Sequence, residues 1–524
     1  MRKTALRTVS GMISKKSPKT VDFPVHSVKD VFSMVFNAKR AQKQWESFPL
    51  KTRIQYMKRV KNYILEHADE IARIISLASG KTLTDAMAAE ILPSAAAIDY
   101  YCKNANKFMR DKKIPTGTLL FFNKRSAAVR VPYGVVGIIS PWNYPFSIPF
   151  SEVIMALLAG NAVLLKAAGE TEAVARLLKR CFESAALPEY VFNSVNMPGA
   201  ITGDAFLDAG IDKLFFTGSV KTGKYLMRQA SKKLTPVVLE LGGNDPMIVC
   251  EDADLEKAAG GAVWAGFSNA GQSCAGVERI YVHESVYDDF LNILKIKVES
   301  LRLGDGLDFN SDIGPLSLER QVKKVNEHVN DALKKGAGIY AKSDVPKGLE
   351  GNFLPCLVMV GVNHNMQLMK EETFGPVVGV MPYGEIDEAV ELANDSNLGL
   401  TASVWSKNVK KSLKIARSLK AGAVTVNDHL MSHGIAATPW GGFKESGIGR
   451  THGEAGFFEM TQLQVIVNDV MPFAKRNFWW HPNSKKVYDG IKGALLFFHG
   501  KGVVKRFVGF KNLIKVFPGT FRRK

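Results

Sequence analysis

Short apolar runs alternate with helical segments along the first half of the chain, and this rhythm constrains the fold most strongly. The strand candidates are residues 135–140, 162–165, 213–216 and 236–239. An apolar helical stretch at 154–158 separates the first two runs, and a second helix opens near Thr222. Strands that alternate with helices favour βαβ units, in which a parallel sheet is covered by helices. The sequence therefore predicts an α/β fold.

Two other regions flank this rhythm. Residues 27–109 place apolar side chains at helical spacing. Residues 242–442 form a second α/β region, with strand candidates at 247–249, 279–282, 377–381 and 423–426. The two α/β regions meet at Glu240-Leu241-Gly242-Gly243, which places a carboxylate at a predicted domain junction. Small-molecule sites tend to form in such clefts.

Length and composition are typical of a packed globular protein. A chain of 524 residues is expected to form two or three domains. No run of about 18 apolar residues predicts a membrane-spanning helix. The five cysteines are odd in number and show no paired spacing, which disfavours a disulfide framework or a cysteine zinc site. We therefore expect a cytoplasmic protein without a metal site.

The net charge of +19 belongs to the two ends of the chain. Residues 1–19 carry six Lys or Arg and no acid, and residues 475–524 carry thirteen against the single acid Asp489. The body between the ends is close to neutral. No nucleic-acid recognition motif accompanies the charge, so we predict no nucleic-acid partner.

Three side chains are candidates for catalysis. Cys274 lies among small residues in Gly271-Gln272-Ser273-Cys274-Ala275-Gly276, which leaves room for a substrate to approach its sulfur. Glu240 ends an apolar strand, and a buried carboxylate there is costly unless it is paired, solvated or functional. Asn143 is held between two prolines after a strand and could donate to an oxyanion. Each residue alone also fits a structural role.

The usual three-glycine dinucleotide fingerprint is missing. In its place, Phe216-Thr217-Gly218-Ser219-Val220-Lys221-Thr222-Gly223 is a strand that runs into a helix start, where free N–H groups bind phosphate. Lys166 follows a strand and could reach a ribose or a phosphate.

Taken together, these residues resemble the aldehyde dehydrogenase superfamily over about residues 30–470. The matching motifs are Pro141-Trp142-Asn143-Tyr144-Pro145, Phe216-Thr217-Gly218-Ser219, Glu240-Leu241-Gly242-Gly243, Gly271-Gln272-Ser273-Cys274, Glu372-Thr373-Phe374-Gly375-Pro376 and the segment 439–447. The joint order of six motifs makes the resemblance specific.

The resemblance implies a role for each matched position. Cys274 would be the nucleophile, Asn143 would help form the oxyanion hole, and Glu240 would be the general base. NAD or NADP would be held by Ser140, Trp142, Lys166, Gly218, Ser219, Gly223, Leu241, Glu372 and Phe374.

The resemblance also implies a domain plan and an assembly. A Rossmann-like dinucleotide-binding domain would comprise 20–117 and 133–241, and a catalytic domain would comprise 242–442. A small β oligomerisation ribbon would comprise 118–132 and 455–470, and a basic, aromatic C-terminal extension would comprise 471–524. We expect a homodimer or a homotetramer.

Two departures from the family pattern bear on specificity. Gly169 stands where relatives often place the carboxylate that binds the adenosine ribose, and Glu170 is the alternative carboxylate. NAD and NADP therefore stay open, with a slight preference for NAD. The segment Ser151-Glu152 lacks the cation that some relatives use to bind an acidic aldehyde. This favours an apolar or aromatic aldehyde.

Several alternatives stay open. The C-terminal extension fits a helix at an anionic membrane surface, a gate over the substrate tunnel, or a helix packed on a partner subunit. A CoA-acylating dehydrogenase would not need Glu240 to activate water. A catalytically silent relative would be expected to lose at least one of Cys274, Glu240 and Asn143.

Overall fold

The computed structural model describes residues 23–474, 477 and 479–516, and the statements below concern these residues. The helices are α1 Val28–Ser47, α2 Leu50–Glu66, α3 Ala68–Ser79, α4 Leu83–Ala86, α5 Leu92–Met109, α6 Ser147–Ala159, α7 Glu172–Glu183, α8 Gly199–Ala209, α9 Val220–Ser231, α10 Leu255–Phe267, α11 Tyr287–Glu299, α12 Glu319–Lys334, α13 Ile386–Asn394, α14 Val409–Ser418, α15 Gly453–Glu459, α16 Lys485–His499 and α17 Val503–Val516. A π-helical turn, Met87–Ile91, joins α4 to α5.

The strands follow the same chain order. They are β1 Lys112–Ile114, β2 Lys124–Pro132, β3 Val135–Ile139, β4 Ala162–Lys166, β5 Phe192–Ser194, β6 Lys213–Thr217, β7 Val237–Glu240, β8 Asp245–Val249, β9 Val277–His283, β10 Gly338–Lys342, β11 Leu357–Val360, β12 Val377–Tyr383, β13 Leu398–Gly399, β14 Thr401–Trp405, β15 Ala423–Val426, β16 Phe443–Lys444, β17 Gly447–Ile448 and β18 Thr461–Asp469.

A six-stranded sheet has the order β17-β7-β6-β3-β4-β5, and only β17 pairs antiparallel. The chain adds β4 and β5 on one side of β3 and then crosses to place β6 on the other side. Ligands of open α/β sheets bind at such a reversal, beyond the carboxyl ends of the strands. The helices that join these strands make the sheet a βαβ structure, so the predicted α/β fold class is confirmed.

A seven-stranded sheet has the order β10-β11-β12-β9-β8-β14-β15. Its strands pair parallel except at the β10 edge. Phe267 of α10 and Phe290 of α11 lie fully buried in the apolar cluster that covers one face of this sheet. The chain passes from the six-stranded to the seven-stranded sheet between β7 and β8, where the sequence predicts a domain junction.

Residues 23–108 and 132–462 belong to one compact unit, which contains both large sheets. A second unit comprises 109–131 and the described residues from 463 to 516. It holds most of the three-stranded sheet β1-β2-β18 and the packed helix pair α16 and α17. Residues 455–459, which lie in the segment predicted as ribbon, are part of helix α15, and the Met460 N–H ends this helix by bonding the carbonyls of Gly456 and Phe457.

Among the described residues, no helix has both the length and the apolar character that a membrane crossing requires.

Candidate active site

The carboxyl ends of β3, β4 and β6 bring several predicted cofactor residues to one edge of the six-stranded sheet. Ser140 follows β3 and donates from its N–H to the carbonyl of Lys166, the last residue of β4, over 3.0 Å. Gly218 follows β6 and donates to the carbonyl of Glu240 over 3.0 Å. The Ser140 Oγ is buried and has no hydrogen-bond partner among the described residues. These positions lie where the strand order reverses.

Helix α9 begins at this edge. The Ser219 side chain caps it by accepting from the N–H of Thr222 over 3.3 Å. A Cβ on Gly223 would lie 2.6 Å from Leu241 Cδ2, so a glycine is needed for the helix to pack on the buried Leu241. A helix N-terminus that opens beyond parallel strands fits the pyrophosphate of a dinucleotide.

Lys166 is 6% exposed, and burial lowers the pKa of its ammonium group. A Cβ on Gly199 would lie 3.6 Å from its Nζ, so the glycine leaves space beside the cation. The Glu170 carboxylate is paired with the Arg320 guanidinium at 2.7 Å. This carboxylate is therefore already neutralised by a protein cation.

The loop that carries Glu372 and Phe374 is fixed by a buried carboxylate. Glu278 accepts from the N–H groups of Thr373 and Phe374, each over 2.8 Å. Phe374 has a positive φ of 58°, and its ring meets the Trp142 ring edge to face at a centroid distance of 5.6 Å. The loop thereby brings two predicted cofactor residues together.

Glu372 is held against the junction between the two sheets. Its Oε1 accepts from the N–H of Gly243 over 3.1 Å. A Cβ on Gly242 would lie 2.7 Å from both carboxylate oxygens, so the carboxylate occupies the room that a side chain would take. Burial, and then the charge of Glu278, raise the pKa of Glu372 to about 7.

Cys274 lies on the tight segment between α10 and β9. Asn269, Ala270 and Gly271 all have positive φ angles, of 53°, 54° and 71°, which turn the chain sharply before the cysteine. A Cβ on Gly243 would lie 2.2 Å from the carbonyl oxygen of Cys274, so the turn before β8 and this segment touch backbone to backbone. Gly243 is thus needed for their close approach.

Cys274 and Glu240 line one cavity. Its described walls are Ile148, Glu152, Thr217, Glu240, Leu241, Cys274, Leu400, His433, Trp440, Thr451 and His452. Glu240 is 5% exposed, and neither of its carboxylate oxygens has a hydrogen-bond partner among the described residues. Burial, followed by the charges of Glu372, Asp245 and Glu240, raises the pKa of the Cys274 thiol. The thiol is therefore mostly protonated when nothing else is bound near it.

Asn143 is not among the residues that line this cavity. Its side-chain Nδ2 donates to the carbonyl of Gln272 over 3.1 Å, two residues before Cys274. Its own carbonyl accepts from Lys81 Nζ over 2.8 Å and from Asn269 Nδ2 over 3.1 Å. The asparagine is thus fixed to the cysteine segment, and one amide hydrogen is free to donate elsewhere.

Two histidines that the sequence did not predict as site residues, His433 and His452, line the cavity. The rings of His433 and His452 lie 4.7 Å apart, and burial lowers the pKa of His433 to about 4. Burial and then His433 lower the pKa of His452 as well. His452 has a φ of 60° and a ψ of 164°, a region that only glycine adopts easily. No sequence pattern marks either histidine.

Glu152 also lines the cavity. The sequence drew attention to this position only because the segment Ser151-Glu152 offers no cation for an acidic aldehyde. It lies in α6, all of whose residues are buried, and burial raises the pKa of its carboxyl to about 8. A carboxylate within an otherwise apolar helix is the signal that could have identified it.

Far from this cavity, ligand atoms of Cys250, Glu251 and Asp252 lie within 4.8 Å of one another. Lys411 Nζ is 2.6 Å from Glu251, and Ser406 and Asn408 donate to Asp252. The protein itself supplies partners to both carboxylates.

Comparison with known proteins agrees with this geometry. The sequence profile of the aldehyde dehydrogenase family matches residues 9–466. A 4,4'-diapolycopene aldehyde oxidase from Methylomonas sp is 36% identical over 479 residues, which are 91% of this chain and 89% of the relative. A Mycolicibacterium smegmatis protein, provisionally named succinate-semialdehyde dehydrogenase [NADP(+)], is 37% identical over 444 residues, which are 84% of this chain and 85% of the relative.

The fold is similar to that of a solved betaine aldehyde dehydrogenase from Staphylococcus aureus in complex with NAD+. The TM-score is 0.81 at 30% identity, and the match covers 87% of this chain and 90% of the other. The expected resemblance, the enzyme class and the choice of NAD or NADP are thereby confirmed. The chain belongs to the aldehyde dehydrogenase family, as an oxidoreductase that uses NAD or NADP.

Proposed function

We propose that this enzyme oxidises an apolar or aromatic aldehyde to its carboxylic acid through covalent intermediates on Cys274. The observation that carries the proposal is the cavity that Cys274 and Glu240 share. It pairs a nucleophile with a buried carboxylate that has no protein hydrogen-bond partner among the described residues.

The first half of the reaction forms a thioester. Glu240 accepts the thiol proton, and the Cys274 sulfur adds to the aldehyde carbon to give a thiohemiacetal. The Cys274 N–H and the free amide hydrogen of Asn143 stabilise the oxyanion. NAD or NADP, when bound, supplies the acceptor for the hydride that leaves the carbon.

The second half releases the acid. Glu240 releases the thiol proton to solvent, and it then takes a proton from water while the hydroxide adds to the thioester carbon. The C–S bond breaks, and Glu240 returns its proton to the sulfur. A CoA-acylating enzyme would use CoA in place of this water, and a buried carboxylate beside the cysteine favours hydrolysis.

The cofactor residues keep the roles that the family implies. Ser140, Gly218, Ser219 and Gly223 border the strand ends and the start of α9, Lys166 ends β4, and Leu241 packs on Gly223. Trp142 and Phe374 meet ring to ring, and Glu372 lies against Gly242. A Cβ on Gly169 would meet no atom within 4 Å, which leaves room for a 2′-phosphate. The Glu170 charge that could repel that phosphate is paired with Arg320. Both observations support use of NADP as well as NAD.

The walls of the cavity support an apolar substrate. Its described lining contains no lysine or arginine, and burial keeps His433 and His452 neutral at pH 7. An acidic aldehyde would therefore find no cation for its carboxylate. The Methylomonas relative is named for a diapolycopene aldehyde, a hydrocarbon-rich substrate, and this agrees with apolar walls.

A homodimer or homotetramer is supported by strand β18, which lies at the edge of its sheet. Leu463, Val465, Ile466 and Val467 of this strand are 50–57% exposed. An exposed, apolar edge strand is a template for pairing with another chain. Sedimentation of the wild type and of Val465→Pro would check the role of this edge, and a wild-type monomer would contradict it.

Peripheral contact with an anionic membrane is supported by helices α16 and α17. Both show exposed apolar side chains, with Leu495 60%, Val504 78% and Phe507 56% exposed. Residues 485–516 carry eight lysines and arginines against the one acid Asp489. Apolar side chains interleaved with cations suit the boundary between lipid headgroups and acyl chains. Such contact would bring the enzyme to apolar aldehydes dissolved in lipid.

The test measures the absorbance of reduced nicotinamide with NAD or NADP and a panel of short, aromatic, long-chain and acid-bearing aldehydes. Cys274→Ala should abolish reduction with every aldehyde. Glu240→Gln should give one burst of reduction and then stall, because the thioester forms but is not hydrolysed. Cys102→Ala, which removes a thiol that does not line the cavity, is the matched control and should retain turnover.

Reduction by Cys274→Ala at the wild-type rate would exclude covalent catalysis at this cysteine. Recovery of Glu240→Gln by added CoA, with wild type also dependent on CoA, would assign the acylating reaction instead. A preference for acid-bearing aldehydes over apolar ones would contradict the substrate class.

A further inference from the structure

Glu152 is a buried carboxyl in the catalytic cavity that the reaction described above does not use. We propose that Glu152 is the protonated member of a hydrogen-bonded chain, Glu152–Thr217–Glu240, which positions the ionised Glu240 for water activation. The inference rests on the proposed hydrolytic function and assigns Glu152 a role that acts through Glu240.

The strand register brings Thr217 and Glu240 together. Thr217 of β6 and Glu240 of β7 are directly paired positions on parallel strands. Leu214, Phe216 and Leu239 face the apolar cluster on one side of the sheet. Because side chains alternate along a strand, Thr217 and Glu240 point to the opposite side.

Helix α6 covers that opposite side. It packs on β3 and β4, the neighbours of β6, and carries Glu152. The Thr217 hydroxyl lowers the pKa of the Glu152 carboxyl, against the rise that burial causes. The two groups therefore face each other. Glu152, Thr217 and Glu240 all line the cavity that contains Cys274. A hydroxyl thus lies next to both carboxyl groups.

The polar atoms of this group have few other partners. Glu152 is 3% exposed and Glu240 is 5% exposed. The Glu152 Oε2, the Thr217 Oγ1 and both Glu240 oxygens are buried and make no standard hydrogen bond to another described residue. Since unpaired buried polar atoms are costly, small side-chain rotations that join them are favoured.

The charges around Glu152 and Glu240 make it energetically costly for both carboxyls to be ionised at the same time. The titratable groups that face them are Tyr101, Cys274, His433, Arg450, His452 and Glu459. Both histidines are neutral, and the Arg450 guanidinium bonds the carbonyls of Gly442 and Gly449. On the elements packed against α6, Glu90 is paired with Lys81, and Arg53 bonds backbone carbonyls.

Electrostatics therefore leave one proton on the pair at neutral pH. Burial, and next the charge of Glu152, raise the pKa of Glu240. A protonated Glu152 removes that repulsion, and two buried carboxyls in one cavity do not both ionise readily.

The proposed hydrolysis decides which member holds the proton, because Glu240 must be ionised to take a proton from water. A threonine hydroxyl has one hydrogen to donate and lone pairs that accept. If both carboxyls were ionised, they would compete for that hydrogen. With the proton on Glu152, its O–H donates to the Thr217 oxygen, and the Thr217 hydrogen points at Glu240. Glu240 can then take a proton from water and return it to the Cys274 sulfur, while the Glu152 proton stays in place.

The experiment compares Glu152→Gln, Glu152→Met and Thr217→Val with wild type, and uses Glu183→Gln, an exposed glutamate of α7, as the control. The burst of reduced nicotinamide reports thioester formation, and the following steady rate reports hydrolysis. Both are measured from about pH 6 to about pH 9, the range in which a carboxyl with a raised pKa titrates.

The glutamine amide mimics a protonated carboxyl, so Glu152→Gln should keep the wild-type hydrolysis rate at about pH 7. Glu152→Met and Thr217→Val should keep the burst but hydrolyse about tenfold more slowly, as expected when a buried hydrogen bond to a charged group is lost. The wild-type profile should show an inflection near pH 8 that Glu152→Gln lacks.

Glu152→Gln as slow as Glu152→Met would overturn the protonated assignment, because an ionised Glu152 would then be required. Wild-type hydrolysis in both Glu152→Met and Thr217→Val would overturn the chain itself. If the position 152 variants do not fold, Thr217→Val alone still tests the chain, and wild-type hydrolysis in this variant would overturn it. A wild type that reduces no nicotinamide with any aldehyde would refute the proposed function, and infrared absorption by protonated carboxyls at about pH 7, weaker in Glu152→Gln than in wild type, would still test the assignment.

Discussion

Lys81 donates a hydrogen bond from its Nζ to the backbone carbonyl of Asn143 over 2.8 Å. The same Nζ pairs with Glu90 Oε1 at 2.5 Å, and Glu90 Oε2 accepts from the N–H of Phe146 over 2.7 Å. Both charged side chains are fully buried. A buried ion pair thus holds the loop that carries the proposed oxyanion donor.

Breaking this pair should therefore destabilise the protein strongly. Lys81→Met leaves Glu90 buried without its cation, and we expect the free energy of unfolding to fall by about 3–5 kcal/mol. Lys61→Met is the control, because Asp99, its partner at 2.6 Å, is 65% exposed, and such a pair contributes at most about 1 kcal/mol. Urea denaturation of both variants measures the difference, and equal losses would contradict this account.

The Cys274 thiol should react slowly at neutral pH and faster as the pH rises. Burial and neighbouring carboxylates raise its pKa, so below that pKa the thiolate fraction rises about tenfold for each pH unit. Glu372→Gln removes the neighbouring charge with the largest effect and lowers the thiol pKa. Alkylation of Cys274, followed by mass spectrometry at about pH 8.5, should then be several-fold faster. Glu371→Gln, next in sequence but outward-facing, should match wild type.

Glu278 should affect the affinity for the cofactor although it is not one of the predicted cofactor-binding residues. It accepts four hydrogen bonds from three donors, which are the N–H groups of Thr373 and Phe374 and, at 2.8 Å, Asn244 Nδ2. Glu278→Gln replaces one acceptor with a donor, and we expect the KM for NAD to rise about tenfold. The exposed Glu284→Gln is the control. An unchanged KM would show that the loop is held by other contacts.

The helix pair α16 and α17 should bind vesicles that contain anionic lipid and release them as salt rises. Val504→Asp combined with Phe507→Asp should abolish co-sedimentation, since it removes apolar contacts and adds negative charge. Ile296→Asp, at a 69% exposed apolar residue of α11, is the matched control. Equal binding to neutral vesicles, or none by wild type, would contradict an anionic membrane surface.

The sequence predicted the sheets well because their signal is local. Apolar runs bounded by glycine and proline lie within a residue or two of β3, β4, β6 and β7, and motif order placed Cys274 near Glu240. The ribbon stays a prediction, and residues 455–459 of its predicted segment 455–470 belong to a helix. Sequence motifs also said nothing of His452, whose strained backbone and buried ring depend on contacts with distant residues.

Asn143 shows a different gap between motif and geometry. The motif predicted its neighbourhood, but its anchoring by Lys81, from another helical region, requires residues 62 positions apart to meet. Glu152 was visible in the sequence, yet its relation to Glu240 depends on which face of the sheet α6 covers. Such relations arise from packing and leave no periodic trace in the chain.

Gly242 leaves no spare volume at the junction of the two sheets. The place where its Cβ would stand lies 2.7 Å from both oxygens of Glu372. Even a methyl group, the smallest step that mutation can take, would push that carboxylate away from the Gly243 N–H. A substitution here is therefore accommodated only by displacing the Glu372 carboxylate, and a library randomised at position 242 should return glycine among its most active clones.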